Sequence, residues 1–327
     1  MQYSAYYVEE SDGTFSASIS KLELEKPADG FVQIKVSHSS LNYKDALSAS
    51  GNKGVTRNYP FVPGIDAAGT ISDANSSHFT EGDEVLVTGY DMGMNTPGGF
   101  GEYINVPTNW VVKKPSALTS LEAMSIGTAG LTAAASVLKI QESSQASDLP
   151  VLVSGATGGV GSIGVMLMST LGKEVSALTG KASSGDFLQS IGATNIIMRD
   201  EYMEAPVKAM ERPLFSSAID TVGGDILSKM LPKISPHGVV ACCGNVAGIE
   251  VNTTVFPFIL RGITLAGIDS AESPLEFKTS LWNKFADEWQ LDLSSMVKLV
   301  TKEDLQHEID LILQGGQQGR VVLTHGE

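Results

Sequence analysis

The stretch VLVSGATGGVGSIGVMLMSTLG, residues 151–172, constrains the fold more than any other part of the chain. Pro150 to Ser154 read as an apolar strand, four glycines follow, and a helical pattern begins at once. Glycine permits a turn with unusual backbone angles and lets the backbone approach a pyrophosphate closely. Such a phosphate lies on the N-terminus of the following helix, where free N–H groups and the dipole favour anions. The spacing is Gly-x-x-Gly-x-x-Gly rather than Gly-x-Gly-x-x-Gly, so its place between strand and helix carries the argument. Gly155, Thr157, Gly158, Gly159, Val160 and Gly161 are the expected cofactor-binding turn. A close helix–strand packing turn without ligand is the alternative.

Around this turn, strands and helices alternate. LPVLVSGA, KEVSALTG, TNIIMRD, SSAIDTVG, HGVVACCG and ITLAGIDS read as strands. GVGSIGVMLMSTLG, SGDFLQSIGA and GGDILSKMLPKI read as helices between them. Nearly all-apolar strands in β-α alternation imply a parallel sheet covered on both faces. The end of the second strand bears on the cofactor. A site for NAD usually carries an acid there, to hold the ribose 2′-OH. VSALTGK has none, and Thr179, Gly180 and Lys181 stand in its place. A hydroxyl and a cation suit a 2′-phosphate, so NADPH is expected; a solvated surface lysine is the other reading of Lys181.

The first third has a different texture. SAYYV, FVQIKVSHSSL, AAGTISDA, DEVLVTGY, GEYINVP and WVVKKP read as short strands separated by turn residues. They imply a mostly antiparallel β-domain with a short helix near NYKDALSAS. LEAMSIGTAGLTAAASVLKI suits a long helix. Two amphipathic helical stretches, Pro274 to Glu288 and Lys302 to Gln314, precede a last strand, RVVLTH, which suggests a return to the first domain.

Composition excludes several classes. A net charge of −15 argues against nucleic acid and against an anionic membrane surface. No uninterrupted apolar run approaches the length of a bilayer span. The start, MQYSAYYVEESDG, has no basic n-region or apolar h-region, so no signal peptide and a cytoplasmic location are expected. Cys242 and Cys243 are the only cysteines, and adjacent thiols cannot staple distant segments.

Several motifs together carry a family resemblance: SSLNYKDALSASG, YPFVPGIDAAGTI, GGFGEYINVP, GTAGLTAA and SGATGGVGSIGV. They resemble the medium-chain dehydrogenase/reductase superfamily, in its zinc-free quinone-oxidoreductase-like branch. VVACCGNVAG, FPFILRGITLAGIDS and GRVVL resemble its acrylyl-CoA reductase-like subfamily. The resemblance covers nearly the whole chain. It implies a GroES-like β-rich catalytic domain, residues 1–121 and 271–327, plus a Rossmann doubly wound parallel-sheet domain, 122–270. Zinc members carry Gly-His-Glu where this chain has Gly64-Ile65-Asp66, and a cysteine ligand near SSLNYKD, which has none. The five histidines are scattered, so no metal is expected. Without a Lewis acid, reduction of an activated C=C bond is favoured over alcohol oxidation.

The resemblance implies that LNYKD faces the nicotinamide. Tyr43 is then the expected catalytic phenol, or else a packing aromatic at a helix start. Asn42 is the second catalytic candidate, or the cap that Asn before a helical run usually provides. Lys44 and Asp45 pair or line the cleft, although charges in a first helical turn are usually solvated. Arg57 holds a CoA phosphate or a carboxylate, or lies on the surface. Thr128 approaches the nicotinamide, or is a small residue allowing tight helix packing. Arg261 and Arg320 flank the nicotinamide and the CoA side, or cap carbonyls. Cys243, Gly244 and Asn245 end an apolar strand, where open α/β sheets bind ligands. Cys243 is not expected as a nucleophile, because no histidine or acid partners it in sequence. Ser270, or Asp269, reaches the nicotinamide end.

The expected function is NADPH-dependent reduction of a short 2-enoyl thioester such as acrylyl-CoA. A quinone or α,β-unsaturated ketone reductase is the alternative, and a non-catalytic NADPH-binding protein the second. CoA is anionic, so Lys44, Lys53, Arg57 and Arg261 would have to overcome an acidic protein's field. The resemblance also implies a homodimer that extends the parallel sheet across a two-fold axis.

Overall fold

In the computed structural model the chain opens with a hairpin turned by Asp12 and Gly13, both at positive φ (51° and 76°). Such a pair matches the twist of the strands it joins. The structure describes residues 1–75, 78–143, 147–204, 206 and 208–326. Every candidate residue named above lies within them; Glu327, the end of the expected segment 271–327, lies outside them.

In chain order the strands and helices are β1 (Gln2–Ser11), β2 (Thr14–Glu23), β3 (Phe31–Leu41), α1 (Tyr43–Ala49), β4 (Asp66–Asp73), β5 (Glu84–Thr88), β6 (Tyr103–Pro107), β7 (Val111–Lys113) and α2 (Ser120–Ser143). Then come β8 (Val151–Ser154), α3 (Gly159–Thr170), β9 (Val175–Thr179), α4 (Gly185–Ser190), β10 (Asn195–Met198), α5 (Arg199–Glu204), β11 (Ala218–Asp220), α6 (Gly224–Met230), β12 (Val239–Cys242), α7 (Phe256–Arg261) and β13 (Thr264–Gly267). The tail adds α8 (Leu275–Asp287), β14 (Val297–Val300), α9 (Leu305–Leu313) and β15 (Arg320–Thr324).

The chain divides into two compact units, Met1–Thr128 with Ser270–Glu327, and Ala129–Asp269. The first cut falls inside α2 rather than at its start. Unit 1 holds the hairpin β1–β2 and a sheet in the order β14-β15-β3-β4-β5-β7, with β6 also on β3. All its pairings are antiparallel except β14 with β15. Alternation in β3, β4 and β5 buries Val32, Ile34, Val36, Ala67, Ile71, Val85 and Val87 in one core. Leu41, Val321, Leu323, Leu305 and Ile309 join Tyr6 and Phe100 in another. β15 runs antiparallel along β3, so the tail does return to the first sheet.

Unit 2 is a six-stranded parallel sheet in the order β10-β9-β8-β11-β12-β13. Numbered within the unit this is 3-2-1-4-5-6, the doubly wound Rossmann order. The order reverses between β8 and β11, and the Gly155 turn leaves β8 at that switch point. β8, β9 and β11 are buried along their length. Leu152, Leu178, Val240 and Ile263 pack with Leu227, Met230 and Leu231 from the helical layer.

One helix bears on the reading that no uninterrupted apolar run approaches a bilayer span. The helix Ser120–Glu142 is long and apolar enough by composition to cross a membrane. Serines, threonines and glycines interrupt its apolar runs without making it polar. Of its apolar window, 83% is buried inside the protein, as in a core helix.

Candidate functional site

In unit 2 the glycine turn has the geometry that phosphate binding requires. Gly155 takes φ 57°, and a Cβ there would lie 2.3 Å from the Thr221 hydroxyl. A Cβ on Gly161 would lie 2.3 Å from the Gly155 carbonyl oxygen, so the first turn of α3 rests directly on the strand end. Gly158 stands at the N-cap of α3 without a side chain to occupy its free N–H groups. Thr157 is buried, while Gly158, Gly159 and Val160 are half-buried. Beneath the turn, the Ser154 hydroxyl donates to Asp220 (2.7 Å) and the Thr221 hydroxyl donates to the Ser154 carbonyl (2.8 Å). These bonds tie the ends of β8 and β11 together.

At the end of β9 the Thr179 hydroxyl accepts the Lys181 N–H (3.0 Å). Partial burial pulls the Lys181 ammonium down from its ordinary range. The parallel register sets Met198 beside Thr179, so Arg199 follows alongside Gly180. A Cβ on Gly180 would lie 2.9 Å from the Arg199 guanidinium. The guanidinium is half-exposed and, among the described residues, pairs with its neighbour Asp200 alone, at 3.0 Å. Sequence reading missed Arg199. The signal was the strand register, which a chain position alone does not supply.

Cys243, Gly244 and Asn245 leave β12 on the same side of the sheet as the Gly155 turn, both following carboxyl strand ends. A Cβ on Gly244 would lie 1.8 Å from the Thr221 carbonyl oxygen. Burial, with Asp220 beside them, pushes the Cys242 thiol up to about 11 and the Cys243 thiol up to about 12. Both thiols thus hold their protons more tightly than a free cysteine does. Arg261 is used differently from the cofactor role given to it. Its guanidinium donates to the carbonyls of Pro232 (2.8 Å), Ile234 (2.9 Å) and Glu211, closing loops within unit 2.

In unit 1 three expected residues, Asn42, Thr128 and Arg320, converge with Ser40 on a carboxylate that sequence reading had not singled out, Asp66. It is fully buried and accepts from the Ser40 hydroxyl (2.5 Å), the Asn42 amide (2.8 Å), and the Thr128 N–H (3.0 Å) and hydroxyl (2.5 Å). Arg320, also buried, lies 4.0 Å from it. Arg320 further donates to the Ser125 carbonyl (3.0 Å), the Leu41 carbonyl (3.5 Å) and Asn42 Oδ1 (3.2 Å). Arg320 is therefore a structural cation rather than a cofactor contact. Asn42 is likewise corrected as a proton donor: both ends of its amide are engaged inside the protein.

Asp45 is fully buried, not solvated, and does not pair with Lys44. It accepts from the Ile65 N–H (2.8 Å) and the Asn42 N–H (2.8 Å). Lys44 is half-buried with no carboxylate partner among the described residues. Tyr43, the first residue of α1, is half-buried, and its phenol has no hydrogen-bond partner among the described residues. Arg57 is exposed; its N–H meets Asn95 (3.4 Å) and its guanidinium meets no described residue. Lys53 pairs with Glu10 beneath the Phe15 and Tyr59 rings. Ser270 opens the returning segment and is half-buried. A cavity of about 740 Å³ elsewhere in unit 1, lined by Leu121, Ile126, Phe285, Trp289 and Leu299, holds none of the expected site residues.

Burial, then the charge of Asp66, pushes Asp45 up to about 7, against the hydrogen bonds from Asn42 and Ile65. Arg320 is the cation of this group, and its own affinity for a proton is lowered by burial and raised by Asp66 and Asp45. Because the folded value lies above the unfolded one, the native state holds a proton that the unfolded state has lost. Stability therefore falls as pH rises from about 4 to about 7. Asp45→Asn removes this slope, worth on the order of 4 kcal/mol at most. Denaturant midpoints across that range should show the wild type losing ground to the variant; parallel profiles would contradict the assignment.

The sequence comparisons bear on this pair of units. Residues 28–116 match the family described as Alcohol dehydrogenase GroES-like domain, and residues 159–287 the family described as Zinc-binding dehydrogenase. Acrylyl-CoA reductase AcuI of Ruegeria pomeroyi is 37% identical over 317 residues, 96% of each chain. The chain belongs to the medium-chain dehydrogenase/reductase superfamily. Within that superfamily it falls in the acrylyl-CoA reductase-like branch and is an oxidoreductase. YhfP of Bacillus subtilis, which carries a quinone oxidoreductase name, is 39% identical over 98% of each chain. Its crystal structure with NAD bound superposes with a TM-score of 0.95, at 38% identity over 99% of each chain. The yhdH oxidoreductase of Salmonella enterica, solved in complex with NADP, superposes with a TM-score of 0.94, at 38% identity over the whole of both chains. One matching family has zinc in its name. Among the described residues no three of His, Cys, Asp and Glu are grouped to hold a metal, and Asp66 is saturated by its own donors.

Proposed function

We propose that this protein is an NADPH-dependent reductase of the C=C bond of a short 2-enoyl thioester, such as acrylyl-CoA. The observation that carries this reading is the 37% identity with acrylyl-CoA reductase over 96% of the chain. The two units supply the parts. The turn from Gly155 to Gly161 offers the pyrophosphate the N-terminus of α3. Thr157 and Val160 shape that turn, and Cys243, Gly244 and Asn245 border it. Thr179, Lys181 and Arg199 hold the 2′-phosphate, with Gly180 giving the guanidinium room. NADPH supplies a hydride to the β-carbon when bound. Tyr43 gives its phenolic proton to the α-carbon, so the alkene gains one hydride and one proton. Thr128 orients the nicotinamide. Lys44 and Arg57 are proposed for the anionic end of the substrate.

Two cofactors occur among the relatives, NADP in yhdH and NAD in YhfP. The cations at Lys181 and Arg199 favour NADPH here. In Arg199→Ala the KM for NADPH is expected to rise about 10- to 100-fold, the worth of a charge-assisted contact, with NADH little changed. Equal effects on both cofactors would remove Arg199 from the 2′-phosphate.

Steady-state assays with NADPH against acrylyl-CoA, crotonyl-CoA and a simple quinone test the substrate. Fast turnover of acrylyl-CoA is expected. Turnover of the quinone alone would favour the second reading, which the name of YhfP and the net charge of −15 support. NADPH binding without any alkene turnover would favour a non-catalytic role.

We also propose a homodimer. β13 is an edge strand, and Val246, Ile249, Val255, Phe256, Ile259 and Leu260 are exposed just before it in sequence. Pairing β13 with its copy would continue the sheet and cover apolar surface. Sedimentation at the mass of a monomer would refute this.

A further inference from the structure

We propose that Asp66 is a positioning residue for Tyr43, holding the first turn of α1 through Asn42. This rests on the reading of Tyr43 as proton donor. A fully buried carboxylate is costly, and a small apolar residue would fill its place in β4 at less expense. Asp66 gathers donors from three segments, Ser40 at the end of β3, Asn42 before α1 and Thr128 in α2, and Arg320 in β15 lies 4.0 Å away as its counter-charge.

The Asn42 amide can sit only one way in this setting. Its oxygen accepts from the Arg320 guanidinium and its nitrogen donates to Asp66. Turning the amide over would set oxygen against carboxylate and NH₂ against guanidinium. The residue before Tyr43 is thus clamped from both sides. A second clamp joins the same turn to the same strand end, because the Ile65 N–H donates to Asp45. The Tyr43 phenol makes no hydrogen bond of its own among the described residues, so its aim follows the backbone of the α1 N-terminus. Proton transfer to carbon depends steeply on that aim.

A double-mutant cycle in kcat for acrylyl-CoA reduction, run on the full-length protein with NADPH, tests the proposal. Tyr43→Phe is expected to lose about 10²- to 10⁴-fold in kcat. Asp66→Asn is expected to lose about 10- to 100-fold in kcat, with KM for NADPH changed less than about twofold. In the Tyr43→Phe background, Asp66→Asn should cost less than about twofold, because its effect passes through the phenol. Equal losses in both backgrounds overturn the positioning role and leave the reading of Tyr43 intact. An unchanged kcat in Tyr43→Phe overturns that reading instead. If Asp66→Asn does not fold, Asn42→Ser enters the same cycle. Serine still caps the helix but cannot bridge Asp66 and Arg320. It should show the same loss, coupled to Tyr43; an additive loss counts against the proposal.

Discussion

Gly127→Ala should destabilise the fold by about 3–5 kcal/mol, read from the denaturant midpoint. Gly127 interrupts α2 with φ 53° and ψ −162°, a backbone state that a side chain disfavours. A Cβ there would stand 2.6 Å from Asp66 Oδ2, 2.7 Å from the Ser40 hydroxyl and 2.9 Å from an Arg320 nitrogen. The methyl cannot enter without parting a buried carboxylate from its donors. Gly158→Ala is the contrast. A Cβ there meets only the Gly155 carbonyl oxygen, at 3.4 Å, and φ is −79°. It should cost less than about 1 kcal/mol. Equal costs at the two positions would mean that the Asp66 network does not crowd Gly127.

The second large effect is expected at Gly161. An added methyl would press on the Gly155 carbonyl at 2.3 Å and on the Ala156 Cα at 2.8 Å, and neither backbone atom can swing aside. Gly161→Ala should lift α3 from β8, cost about 1–3 kcal/mol and weaken NADPH binding by about 10- to 100-fold. Gly164→Ala, one turn on, meets the tip of the Ile219 side chain at 3.2 Å. That neighbour can rotate, so binding there should hardly change. Loss of NADPH at both positions alike would mean general unfolding rather than a displaced phosphate site.

Much of the architecture was legible because its cause is local. The β-α alternation announced the parallel sheet, and the apolar β8 and β9 announced burial on both faces. β3 matches its sequence reading from Phe31 to Leu41. β2 was missed, since most of its residues are exposed or half-exposed and its apolar positions are sparse. The Asp12-Gly13 pair was the available signal. β14 has only four residues, and α5 starts within TNIIMRD, where an apolar run hides the change of period. The cations were the hardest to assign. Arg261 and Arg320 meet carbonyls and a buried carboxylate, whereas Arg199 meets its exposed neighbour Asp200 and a bare glycine. Nothing in the spacing of charges distinguishes a guanidinium that closes a loop from one that waits for a ligand. Asp45 looked like a solvated first-turn acid because its donors, the N–H groups of Asn42 and Ile65, are backbone and invisible to composition.

The two cysteines carry a practical consequence. Burial, with Asp220 beside them, keeps both thiols protonated well above the usual cysteine range, so little of either is thiolate at pH 7. Maleimides and iodoacetamides, which the thiolate attacks, are expected to label this pair much more slowly than an exposed cysteine. A third cysteine placed on an exposed strand such as β2 should therefore take a fluorophore or spin label ahead of the native pair.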